Sequence, residues 1–287
     1  MGAADIVPGV SGGTIALMSG IYDRLLRSLV AVDGDCMTLL VSGRLSAVWH
    51  RVDGGFLMPL LLGILSAIFT LASAIHWLLE AYPQPLWAFF SGLILASGLL
   101  LLRDEVVLNR ADRTICFSLG VALAVVVAFM PPVSLLYGLP GLFFAGALAI
   151  CAMILPGISG SFILVLMGMY EPVLDALRHI KITELIVFAA GCVTGLMSFS
   201  KLLDKLLRAH RMLALAFLCG VLIGSLVAVW PWRVSLDAAA SGSGSELTRP
   251  TMPTEVAVSQ IELCLATFFV GFLAVWSAQA FAARRLG

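Results

Sequence analysis

The sequence predicts an all-α polytopic membrane protein built as an inverted repeat, each half a re-entrant Pro-Gly-x-Ser-Gly helical hairpin plus three transmembrane helices. Three observations carry that prediction. Of 287 residues, 61% are hydrophobic and 12% charged, against roughly a quarter charged in soluble domains, and mean hydropathy is +1.05. Six stretches each hold the roughly 20 apolar residues that a helix needs to cross a bilayer core. The sequence also writes Pro-Gly-x-Ser-Gly twice, in "DIVPGVSGGTIALMSGIYDRLL" near its start and in "MILPGISGSFILVLMGMYEPVL" 148 residues later.

The first motif segment, 1–30, is not a simple span, because Pro8 and Gly9 interrupt it. Proline lacks an N–H and disfavours helix in the residue before it. In hydrocarbon a broken backbone is tolerated only where protein or water covers it. The segment therefore reads as a hairpin that enters and leaves on one side. Spans at 56–79, 85–103 and 112–130 complete a first repeat, 1–130. A second motif segment, 139–170, with Pro156 and Gly157 at its break, opens the second repeat, 139–281, and spans at 183–203, 212–230 and 258–281 follow it. Residues 231–257, rich in Gly, Ser and Pro, read as a flexible extracytoplasmic loop. The whole chain, 1–287, reads as a single transmembrane domain. About 17 mostly apolar residues precede Pro156 and seven precede Pro8; either the true start lies upstream or the first hairpin is incomplete. No basic region precedes the motif, so no cleavable signal peptide is expected.

The repeat extends beyond the motif. At the offset of 148, Ile6, Pro8, Gly9, Ser11, Gly12, Gly20 and Tyr22 recur as Ile154, Pro156, Gly157, Ser159, Gly160, Gly168 and Tyr170. At an offset of 128, "AFFSGLILAS" (88–97) recurs as "AFLCGVLIGS" (216–225), and a longer loop after the first motif accounts for the change. Each half then has three spans, an odd number, so hairpins that return to their own side make the second half inverted. Charge supports this. One side, carrying the 24–55 loop, the 103–113 loop, the 201–211 turn and the C-terminus, collects thirteen Lys and Arg against four on the other. Had the second motif segment crossed once, the split would be eleven to six. The positively charged loops and the C-terminus are expected in the cytoplasm.

The motif suggests chemistry. Ser11 and Ser159 stand where they would cap the outgoing half-helices. The N–H groups of Gly12, Gly13 and Thr14, and of Gly160, Ser161 and Phe162, would then be unpaired and point at the membrane middle. Helix N-termini converging from opposite sides make an anion site from backbone. Broken helices at matching positions of two halves point to a transport site. The competing reading is that the glycines merely let helices pack closely. Ser66, Thr70 and Ser73, with their repeat partners Thr194, Ser198 and Lys201, form a polar stripe expected to face the interior. Lys201 is the cation for an anionic headgroup, or else a snorkelling lysine beside Lys205 and Arg208. Asp5 and Glu262 are the candidate coupling carboxylates.

Other classes fare worse. Net charge is zero and no basic tail suggests nucleic acid. The six cysteines and four histidines are scattered without metal spacing, so no metal site, cofactor or catalytic residue is expected. Ser11 sits in Gly-x-Ser-x-Gly, the spacing of a nucleophile elbow, and both copies hold the Gly-x-Ser-Gly of intramembrane serine proteases. A nucleophilic serine needs a base in reach, no histidine lies within a span's interior, since His76 stands near the end of the 56–79 span, and "GISGS" breaks the elbow pattern. A serine hydrolase is thus the weakest alternative; a secondary transporter of a small soluble anion would use the same site.

The two motif segments, together with "LWAFFSGLILAS" and "FSKLLDKLLRAHRMLALAFLCGVLIGSLVAVWPW", resemble the polyprenyl-phosphate translocase family of bacteria over nearly the whole chain. The resemblance implies a multi-pass protein of the bacterial cytoplasmic (inner) membrane. It implies a flippase returning undecaprenyl phosphate, the lipid carrier of wall and surface polymers, to the cytoplasmic leaflet, with polyprenyl phosphate as its partner in the membrane. Held by the half-helix N-termini and serines, the phosphate would cross the polar interior while the tail stays in lipid.

Overall fold

The computed structural model describes residues 1–2, 11–104, 108, 110–130, 138–235, 248–250 and 258–286. Among them the first half gives α1 (Gly12–Met18), α2 (Tyr22–Val30), α3 (Gly34–Val41), α4 (Leu45–Arg51), α5 (Gly54–Ala81), α6 (Pro83–Asp104) and α7 (Ala111–Phe129). The second gives α8 (Gly138–Ile154), α9 (Gly160–Leu166), α10 (Tyr170–Arg178), α11 (Ile182–Ala209), α12 (Arg211–Gly224) and α13 (Val258–Leu286). Five helices, α5, α6, α7, α11 and α13, contain stretches long and apolar enough to cross a membrane. The protein is a helical polytopic membrane protein.

The expected span at 212–230 differs. It is the 14-residue α12 followed by a 3₁₀ turn over Ser225–Val227. Pro231 disfavours helix at Trp230, and the Ser225 carbonyl gathers the N–H groups of Ala228 and Val229, at 2.9 and 3.3 Å. Residues of α12 are buried all round, from Ala214 to Gly224, as a helix apolar on every face must be. The Gly/Ser/Pro-rich segment begins with β1 (Arg233–Ser235), paired antiparallel with β2 (Thr248–Pro250). Residues 236–247 and 251–257 of that segment lie outside the described residues.

The long first-half loop explains the shift in repeat offset. Between α2 and α5 lie α3 and α4, whereas three residues separate α10 from α11. Arg24 pairs with Asp53 at 2.6 Å, and Arg51 with Asp33 at 2.6 Å and Asp35 at 3.1 Å. The Arg24 guanidinium beside Asp53 holds its carboxyl below the usual carboxylate range. These pairs tie the insertion into a folded loop.

The chain forms two compact units: Met1–Ala72 with Pro132–Arg211, and Ser73–Pro131 with Met212–Gly287. Both use the same packing device. In the first, a Cβ at Gly146 of α8 would fall 2.4 Å from the Phe188 carbonyl of α11, and one at Gly191 of α11 would fall 2.0 Å from the Phe143 carbonyl of α8. In the second unit, α6 and α13 repeat this with Gly92 against Phe268 (2.0 Å) and Gly271 against Phe89 (2.2 Å). There too, α7 and α12 repeat it with Gly120 against Phe217 (2.2 Å) and Gly220 against Phe117 (2.1 Å). All six helices carry Phe-x-x-Gly, and each glycine receives the partner's phenylalanine carbonyl. Such spacing lets backbones meet within range of Cα–H···O contacts, which is how small residues hold helices together in lipid. Phe89/Gly92 and Phe217/Gly220 are the matching positions of the sequence repeat. In the second unit each of those helices therefore pairs with a helix from the other half of the chain.

Candidate functional site

The site is built where the second motif turns. Leu155 N–H still bonds back to Cys151 at 3.3 Å, but Pro156 has no N–H with which to extend α8. Gly157 turns the chain at φ +88°, a left-handed backbone that suits glycine. From there α9 runs back beside α8. A Cβ on Gly160 would meet Ala149 and Met153, and Leu164 and Met169 pack with Ala145 and Ala149. Gly138, at the start of α8, shares a cavity wall with Gly168 and Pro172. The segment is a helical hairpin with its tip at 155–159, and α9 and α10 then bend by 109°.

The first motif grips that tip. Ser11 caps α1, its hydroxyl accepting from Gly13 N–H at 3.1 Å and donating to the Met153 carbonyl at 2.8 Å. Tyr22 donates its O–H to the Ile154 carbonyl at 2.9 Å. Both carbonyls belong to the last turn of α8, where no helical N–H remains to take them. Thr14 Oγ1 accepts the N–H of Gly157 at 2.9 Å. Ser11 and Thr14 are 1% and 0% exposed. Three side chains of one motif copy thus satisfy three backbone groups of the other, in an interior where an unpaired group costs about 1–3 kcal/mol. The two copies meet.

This geometry corrects one expectation. The N–H groups of Gly13 and Thr14 are not open donors, because Ser11 takes the first with its hydroxyl and the second with its carbonyl, at 3.0 Å. A serine cap satisfies the first turn internally. Gly13 also serves packing, since a Cβ there would lie 2.7 Å from the Ile154 carbonyl and 2.8 Å from that of Met153. Ser159 takes the N-cap position of α9 without a side-chain cap bond, and its hydroxyl pairs with Ser161 at 2.8 Å. Gly160 and Pro156 are buried. Asp5, Pro8 and Gly9 lie outside the described residues.

The polar stripe is not interior. Ser66, Thr70, Ser73, Thr194, Ser198 and Lys201 are all exposed. Thr70 bonds back to Ser66 at 2.7 Å, Thr194 to Ala190 at 2.8 Å, and Ser198 to Thr194. A hydroxyl satisfied by its own helix needs no interior partner, which is why the pattern misled. Thr194 and Ser198 also flank Leu196 two positions away on α11, so they face away from the motif junction that Leu196 helps to line. Glu262 is exposed on α13. Sequence reasoning missed Tyr22 and the carbonyls of Met153 and Ile154. The tyrosine was visible as a repeated residue; its carbonyl partners, being backbone, leave no mark in a sequence.

The two ends of α11 carry different elements. The hairpin mouth lies by Glu184, at one end. At the other, Arg211 pairs with Asp23 of α2 at 2.7 Å and Arg208 with Asp204 at 2.9 Å. At 1.5 Å per residue the two ends stand roughly 36 Å apart, about the thickness of a bilayer core.

Residues 1–247 match the family model described as undecaprenyl phosphate translocase-like. A polyprenyl-phosphate transporter of Vibrio cholerae serotype O1 is 44% identical over 247 residues, covering 86% of this chain and 80% of that protein. A polyprenyl-phosphate transporter of Staphylococcus aureus is 31% identical over 275 residues, covering 82% of this chain and 88% of that protein. Both relatives are transporters rather than enzymes. No solved structure matches. The chain belongs to the undecaprenyl phosphate translocase-like family.

Proposed function

We propose that the protein is a flippase for polyprenyl phosphate in the bacterial cytoplasmic membrane. It returns undecaprenyl phosphate to the cytoplasmic leaflet for reuse in wall and surface-polymer synthesis. The observation that carries this reading is the junction of the two motif copies, a buried polar centre between helices otherwise apolar, in a family described by a lipid phosphate. In this reading 1–130 and 139–281 are inverted repeats and the motif hairpins are re-entrant. The arginine-rich end of α11 faces the cytoplasm and the 231–257 segment the other side, in keeping with the thirteen-to-four charge split.

A charge in bare hydrocarbon costs at least about 3 kcal/mol on insertion scales. A prepared polar route lowers that barrier while the prenyl tail stays in lipid. Ser11, Gly12, Gly13 and Thr14, with Ser159, Gly160 and Ser161, line the crossing. Because Ser11 already holds the N–H groups of Gly13 and Thr14, a phosphate oxygen reaches them only by replacing a serine oxygen. Each exchange keeps a buried donor satisfied, at net differences of about 0.5–1.5 kcal/mol per bond. The test is reconstitution into liposomes with labelled polyprenyl phosphate and, separately, labelled soluble phosphate. Acceleration of the lipid over protein-free liposomes supports the reading. Accelerated uptake of soluble phosphate with no lipid movement replaces it with a soluble-anion transporter.

A further inference from the structure

The motif junction is flanked by a second, unassigned feature at the arginine end of α11. A cavity of about 290 Å³ opens between α2 and the end of α11, lined by Asp23, Arg27, Asp204, Arg208 and Arg211, with Leu26 in its wall. Three guanidinium groups face two carboxylates there, a formal excess of one positive charge. Asp23 holds Arg211 at 2.7 Å and Asp204 holds Arg208 at 2.9 Å, while Arg27 Nε donates to the Asp23 carbonyl at 3.1 Å. These contacts hold the three guanidinium groups around one cavity.

Against the other side of Leu26 lies an almost wholly apolar cavity of about 260 Å³. Tyr22, Leu25 and Leu29 of α2 line it, with Ile150 and Met153 of α8 and Leu196 of α11, and it reaches Gly12 and Gly13 of the motif junction. Leu26, 2% exposed, is the wall common to both cavities. A cationic pocket and an apolar one thus adjoin on one amphipathic helix, the shape of an amphiphile with an anionic head. At the opposite end of α11 a cavity of about 280 Å³ is lined by Gly138, Leu142, Met169 and Glu184, and Lys181 approaches the Glu184 carboxylate at 3.6 Å.

We infer that the Arg27–Arg208–Arg211 pocket binds a phosphate monoester and the adjoining cavity takes the first part of the chain attached to it. Resting on the polyprenyl-phosphate reading, this makes the arginine end the station where the headgroup is held beside the crossing. Arginine forks bind phosphate oxygens in pairs, and the carboxylate of Asp23 competes with the phosphate for Arg211.

The test measures binding of farnesyl phosphate, inorganic phosphate and farnesol to the purified full chain in detergent, for the parent, Arg27→Gln and Asp23→Asn. Losing one charge-assisted contact should weaken farnesyl phosphate about tenfold or more in Arg27→Gln. Asp23→Asn should bind as tightly as the parent or more tightly, a result that misfolding cannot produce. Farnesol should bind far more weakly than farnesyl phosphate. Arg27→Gln within twofold of the parent, or weaker binding by Asp23→Asn, overturns the pocket while leaving the transport reading intact. Inorganic phosphate bound as tightly as farnesyl phosphate overturns the lipid as its occupant. A parent that binds no lipid phosphate overturns the reading on which the inference rests.

Discussion

Substituting Gly13 by alanine tests whether the two motif copies really meet. A glycine in a helix normally gains up to about 1 kcal/mol on becoming alanine, through lower entropy of the unfolded chain. At Gly13 the added Cβ would stand 2.7 Å from the Ile154 carbonyl and 2.8 Å from the Met153 carbonyl. Both atoms are backbone at a hairpin tip, so neither can rotate away as a side chain would. Overpacking of this kind costs about 1–3 kcal/mol. It also pushes away the tip that Ser11, Thr14 and Tyr22 hold. The net expectation is a loss of about 1–2 kcal/mol, read as a fall of roughly 2–8 °C in melting temperature. Gly63→Ala supplies the contrast, because nothing lies within 4 Å of a Cβ there, and in a helix it should hold or gain up to about 1 kcal/mol. The assay is thermal unfolding of both variants and the parent in one detergent, followed by size exclusion. A Gly13→Ala protein melting at or above the parent would show that the copies do not touch as described, and the reasoning would fail.

Three further outcomes are expected. Ser11→Ala removes the α1 cap and the tie to Met153, costing about 1–2 kcal/mol, whereas Ser11→Thr keeps a cap and should recover most of it; equal melting of parent and Ser11→Ala contradicts this. Gly191→Ala should destabilise the α8–α11 pair strongly, since its Cβ would fall 2.0 Å from the Phe143 carbonyl, and a melting point matching the parent's would refute the reciprocal glycine packing. In a variant whose six cysteines are replaced by alanine, Lys181→Cys should react with an impermeant thiol reagent in intact cells and Lys205→Cys should not; the reverse pattern overturns the proposed orientation.

The helices were legible because apolar runs bounded by charge have one stable fate in a bilayer. The second break was legible because Pro156 cannot extend α8. Phe-x-x-Gly was also on view six times, yet which helix would face which is a nonlocal fact. Only the fold shows that α6 chooses α13 and α7 chooses α12. Ser11 is legible as a cap, but the N–H groups of Gly13 and Thr14 beneath it are not the open donors that the sequence suggests, because a cap consumes what it caps. The polar stripe failed for a related reason: threonine and serine on a helix can satisfy themselves on the preceding turn, so their spacing does not reveal which face is buried. Tyr22 is the reverse case, a repeated residue whose worth depends on a carbonyl more than a hundred residues away.

The most direct test of the account follows the lipid headgroup through the junction. Proteoliposomes containing a short-chain polyprenyl phosphate are treated with an impermeant phosphatase, and the fraction of headgroups reached is followed in time. Thr14 accepts the buried N–H of Gly157; Thr14→Ser keeps that acceptor, and Thr14→Val orphans the N–H at a cost of about 1–3 kcal/mol. The parent should bring inner-leaflet headgroups into reach, Thr14→Ser should do so at a similar rate, and Thr14→Val should be severalfold slower per folded protein. A parent that leaves the inner leaflet protected, or a folded Thr14→Val that matches the parent, would contradict this.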